Sequence, residues 1–117
     1  MSIQKMENEH FVYVAYVRTE SSEVEKLKIE LAHYLKTARV KRDMVVDLSK
    51  CAFLINPEIA ALAGFIRALQ GTDHCLRIIT NPKIHDKLET MKIFLEPNVA
   101  AYRDHRSFIA DQQNPVI

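Results

Sequence analysis

The chain has 117 residues, 48% of them hydrophobic and 26% charged, and a formal net charge of +1. That composition predicts one globular domain over 1–117 and provides no strong field for nucleic acid or an anionic membrane. No apolar run approaches the roughly 18 residues that span a bilayer, and with Gly64 and Gly71 as the only glycines no glycine-rich phosphate loop can be written.

The opening "MSIQKMENEH" is polar and does not read as a signal peptide. "FVYVAYVR", 11–18, is aromatic and β-branched, which predicts a strand. Ser22 and Glu25 then form a capping-box pattern. Val24, Leu27, Leu31, Tyr34, Leu35 and Ala38 recur at helical spacing, which predicts an amphipathic helix over 23–38. Lys36, Arg39, Lys41 and Arg42 gather at its end, where cations complement the helix dipole. "MVVDLS", 44–49, reads as an interior strand.

Asn56-Pro57 predicts the next helix start, with Asn56 as N-cap and proline at the first helical position. Gly71 is placed to end that helix in a left-handed turn. Ile59, Leu62, Ala63, Ile66 and Leu69 form its expected core face. Ala60, Ala61, Gly64, Phe65 and Ala68 cover much of the rest. A helix apolar nearly all round is either fully buried or presents a binding surface. Ala61, Phe65 and Ala68 are the candidates for that surface.

"LRIIT", 76–80, repeats the buried-strand pattern, and Asn81-Pro82 repeats the helix start. Ile84, Leu88 and Met91 make the stripe of the helix that follows. "NVAAYR", 98–103, is a last strand. Asp104 or Ser107 is placed to cap a short final helix, and "QQNPVI" reads as a frayed tail. Strand and helix alternate throughout, so the expected architecture is α/β, with a mixed, mainly parallel sheet in a single layer and helices packed on it.

The candidate chemistry is sparse. Cys51 and Cys75 lie in apolar runs and read as reduced core thiols of a cytoplasmic protein. No two histidines stand at i, i+4 within a helix, and His85-Asp86 are neighbours expected to point apart. Asp43, Asp47 and Glu58 form no coherent acid–base set, because a carboxylate in the first turn of a helix normally serves the dipole. The residues assign no catalytic group, no metal and no cofactor.

"MVVDLSKCAFL", "INPEIAALAGFIRAL", "LRIIT" and "IHDKLETMKI" together resemble the STAS domain family, the fold of bacterial anti-sigma factor antagonists. The resemblance runs over about 11–111. It rests most on Asp47-Leu48-Ser49, Phe53 and the helix after them. It implies a non-enzymatic regulatory module whose partner is an anti-sigma kinase-like regulator. The likeness implies docking through the 55–58 loop, with Asn56, Pro57 and Glu58, and the helix after it, where the apolar surface candidates are Ala61, Phe65 and Ala68. An alternative with the same fold is the cytosolic subunit of a lipid-transporting ATP-binding cassette system, whose partner is a transporter ATPase. A homo-oligomer is compatible with either. In the regulated relatives the loop reads Asp-Ser-Ser-Gly or Asp-Ser-Thr-Gly and its first hydroxyl is phosphorylated. Here those positions are Ile55, Asn56, Pro57 and Glu58, so the phosphoacceptor position carries an amide.

Overall fold

A computed structural model describes residues 3–7, 11–17, 23–37, 43–72, 74–92 and 98–113. Its elements in chain order are β1 (Ile3–Glu7), β2 (Phe11–Tyr16), α1 (Glu23–Thr37), β3 (Asp43–Asp47), α2 (Asn56–Leu69), β4 (Leu76–Ile79), α3 (Pro82–Thr90), β5 (Val99–Tyr102) and α4 (His105–Gln113). The five strands form one sheet in the order β1-β2-β3-β4-β5. β2 to β5 are parallel, and β1 joins the edge antiparallel to β2. The mixed, mainly parallel layer expected from the sequence is therefore present.

The strand order decides where the helices lie. Successive right-handed crossovers that step in one direction across a sheet put every connecting helix on the same face. Val12, Met44, Leu76 and Val99 are laterally aligned. With Val14, Tyr16, Val46 and Ile78 they pack against Leu27, Leu31, Leu62, Ile66, Ile84 and Leu88 from α1, α2 and α3. The alternate positions Tyr13, Val45 and Ile79 face the other way and pack with Phe108 of α4. A period of two thus sorts the sheet residues between two clusters of unequal size.

Most helix expectations hold with shifted ends. Asn81 caps α3, since its Oδ1 accepts the Ile84 N–H at 3.0 Å and Pro82 follows. Gly71 takes φ +82° just past α2, a conformation that costs a side-chain-bearing residue more. Asp104 rather than Ser107 caps α4, accepting the Ser107 N–H at 2.7 Å. α4 continues through Gln113, into the segment expected to fray. Ser22, Ala38, Arg39, Lys41 and Arg42 lie outside the described residues.

Two expectations are corrected, and one strand is additional to those expected. β1 is a strand, although its residues carry no strong hydrophobic pattern. Leu35 and Met91 are 40% and 48% exposed, so the α1 stripe loses Leu35 and the α3 stripe its last member, Met91, from the core. Asn56 is the first residue of α2 and not its cap. The cap is Ile55, in extended geometry, and its carbonyl accepts from the Glu58 and Ile59 amides. An apolar cap suffices because the Glu58 side chain folds back to accept the Ile55 N–H at 2.8 Å.

Candidate functional site

The β3–α2 loop leaves the carboxyl edge of the parallel strands, where open α/β sheets usually place their sites. Asp47 begins the turn. Its Oδ1 accepts the Ser49 N–H at 2.9 Å and its Oδ2 accepts the Tyr13 hydroxyl. The first bond is an Asx-type turn that bends the chain away from β3. Asn81, beside it, donates from Nδ2 to the carbonyls of Ser49 and Cys51 at 3.2 and 2.8 Å. The buried Cys51 thiol donates to the Tyr16 carbonyl. The loop is therefore fixed from three directions by side chains that the chain supplies from β2, the loop itself and the start of α3.

The fixed base presents an open crest. Lys50, Ala52, Phe53, Asn56 and Pro57 are exposed, with Phe53 at 53%. Beyond them, α2 and α1 bound a surface groove of about 380 Å³, lined by Lys28, Leu31, Ala32, Leu35, Ala60, Ala61, Gly64 and Phe65. Small residues on the α2 wall keep it wide. A Cβ built on Gly64 meets nothing within 4 Å.

The residues expected to meet a partner separate into two sets. Asn56, Pro57 and Ala68 are exposed and Ala61 is half-buried on the groove wall. Glu58 is fully buried and accepts the Tyr16 hydroxyl as well as the Ile55 amide. Phe65 is 3% exposed, with its ring centroid 5.7 Å from that of Tyr34. These two are corrected from partner contacts to internal ones. Glu58 faces inward because it lies on the same helical stripe as Leu62 and Leu69. Phe65 contributes only the floor of the groove.

The remaining chemistry-bearing residues are dispersed. Cys51 and Cys75 are free thiols. His85 Nδ1 lies 3.7 Å from a Glu89 oxygen. The ligand atoms of His85, Asp86 and Glu89 fall within 4.8 Å of one another, so these neighbours converge more than their positions on α3 suggested. Asp43 and Asp47 go to different partners. Arg77 Nε donates to Asp43 at 2.9 Å and Arg77 Nη1 donates to the Tyr102 hydroxyl at 3.0 Å. Burial opposes the Arg77 charge, but these contacts together hold its pKa above the usual value. No helix among the described residues is long and apolar enough to cross a membrane.

Burial, then the hydrogen bond and charge of Asp47, push the Tyr13 phenol far above its ordinary value of 10.0. A raised folded pKa favours the native state while the phenol is protonated. The linked stability is complete below about pH 10 and is lost as pH climbs toward the raised value. In an ultraviolet titration of the four tyrosines, a step assigned to Tyr13 is expected well above pH 10, together with alkaline unfolding. Tyr13→Phe should delete that step. A parent protein whose tyrosines all ionise near pH 10 while it stays folded would contradict the assignment.

No family model matches the chain, and no curated protein does. Among solved structures it is similar to the anti-sigma factor antagonist SpoIIAA in its unphosphorylated form. The TM-score is 0.65 at 13% identity, with 98% of each chain covered. With four parallel strands, an antiparallel edge and four helices among its described residues, this chain has the STAS fold seen in that antagonist.

Proposed function

We propose that this chain is a non-enzymatic regulatory module of the cytoplasm that docks a protein partner through the crest of the β3–α2 loop and the outer face of α2. Its binding is not switched by phosphorylation at position 56. One observation carries the reading: the position that the resemblance matches to a phosphoacceptor is exposed at the start of α2 and holds the amide of Asn56. Pro57, Ala61 and Ala68 continue from it along the helix, beside the groove. The partner class implied by the fold is an anti-sigma kinase-like regulator. Glu58 and Phe65 serve this surface from beneath, by holding its shape.

The test is capture of the partner from the native host, followed by calorimetry of Asn56→Asp. Asp at the first helical position favours the dipole by about 0.3–1 kcal/mol, so folding should be unchanged or slightly better. The new charge at the docking crest should weaken the complex by about 1–3 kcal/mol, or one to two decades in affinity, through repulsion and desolvation. Asn56→Ser should bind as the parent does. Unchanged affinity in the Asp variant places the loop outside the interface. Capture of a transporter ATPase in place of a regulatory kinase would replace this reading by the transport one.

A further inference from the structure

The face of the sheet opposite α1, α2 and α3 is covered in a different way. Across 106–110 of α4, Phe108 is buried while Arg106, Ser107, Ile109 and Ala110 are exposed. Its ring enters a socket of three aromatic rings. Phe11 lies at 5.9 Å and Tyr102 at 5.4 Å, both edge-to-face at 76° and 85°, and Tyr13 lies tilted at 6.4 Å. Aromatic pairs prefer such edge-on geometry, so the socket is shaped for a ring and not for any apolar group. The walls are held independently of α4. Tyr13 donates to Asp47, and Tyr102 is fixed by Arg77, which is itself tied to Asp43. The helix, in contrast, has nine residues and joins β5 through the exposed pair Arg103 and Asp104. A helix below about 12 residues is marginal on its own, so α4 depends on packing such as that of Phe108.

We propose that α4 is a detachable latch: it fills a preformed aromatic socket in cis, and its release opens that socket to a partner helix carrying one aromatic side chain. The occupant chemistry is the one α4 displays, a ring on an otherwise polar helical face. The socket lies on the other side of the sheet from the loop and groove described above, so the proposal stands or falls separately from the docking reading.

The probe is a fluorescent synthetic peptide of residues 103–113, titrated by anisotropy against the full chain and against full-length Phe108→Ala. The peptide should bind the variant saturably and the parent at least about tenfold more weakly, because the parent's own α4 competes. A peptide with Ala in place of Phe108 should not bind. A folded variant that fails to bind, or equal binding to parent and variant, overturns the proposal. Hydrogen exchange of the parent supplies the arm that does not require the variant to fold. Amides of 109–113 should exchange through a local opening at least about 100-fold faster than those of β3 and β4. Equal protection in the two regions would show that α4 leaves only when the whole chain unfolds, and the latch would be excluded.

Discussion

Phe65→Ala should lower the unfolding free energy by about 3–5 kcal/mol, the usual cost of emptying an aromatic core position. The ring is 3% exposed, packs on Tyr34 and lies in the cluster that joins α1, α2 and the sheet. Tyr34 in turn stands 3.3 Å from His74 through its hydroxyl, so loss of the ring loosens a chain of contacts from α2 to the turn before β4. Chemical denaturation with an unchanged slope reads the effect as a shift of midpoint. A partner contact on the surface would instead move stability by less than about 0.5 kcal/mol. A shift that small would restore Phe65 to the docking face. Phe65→Arg should be more severe than Ala, since it adds an unpaired buried charge to the cavity.

The spacing of α2 contained this result. Glu58, Leu62, Phe65 and Leu69 stand at i, i+4, i+7 and i+11, one stripe of a helix. Reading Ile59, Leu62, Ala63, Ile66 and Leu69 as the core located its centre correctly but set its edge one residue too far round. Phe65 fell outside because nearly every neighbour is apolar, and periodicity loses contrast when there are few polar residues to mark the other face. Glu58 fell outside for a different reason. A glutamate near a helix start has an ordinary explanation in the dipole, and nothing local shows that Tyr16, 42 positions earlier, brings a hydroxyl to meet it.

The rest of the fold divides along the same line. Interior strands such as "MVVD" and "LRII" were legible because burial on both faces demands continuous apolar runs. β1 was not, because an edge strand pairs through its backbone and needs no hydrophobic run of its own. Asn81 was legible as a cap, while its two bonds to the β3–α2 loop were not. Capping is local in sequence, but the loop lies about 30 residues away, as the separations of 32 and 30 show.

Glu58→Ala is expected to cost about 3–5 kcal/mol. The side chain is fully buried, and both of its oxygens accept hydrogen bonds, one from the Ile55 amide and one from the Tyr16 hydroxyl. Truncation removes buried packing and strands two donors, each worth about 1–3 kcal/mol when left unsatisfied in the interior. Tyr16→Phe keeps the ring and removes one donor, so it should cost about 1.5–3 kcal/mol, the range for a hydrogen bond to a charged group. The double variant Tyr16→Phe with Glu58→Leu separates the pair from its context. Replacing both members by apolar groups of similar size leaves little unsatisfied beyond the Ile55 amide, so the double variant should be more stable than Tyr16→Phe alone. A cycle with strictly additive costs would mean that the hydroxyl and the carboxylate do not interact. The consequence for function lies in the loop. Glu58 accepts the Ile55 N–H, the reciprocal half of a capping box, and so fixes the first turn of α2 from which the exposed Asn56 projects. Glu58→Gln, which keeps the shape but exchanges one acceptor for a donor, should therefore disturb the crest as well as the core. Partner affinity should fall in that variant even at temperatures where it is fully folded, although the side chain itself touches no partner. Full affinity in folded Glu58→Gln would show that the crest keeps its shape without the Glu58 bond.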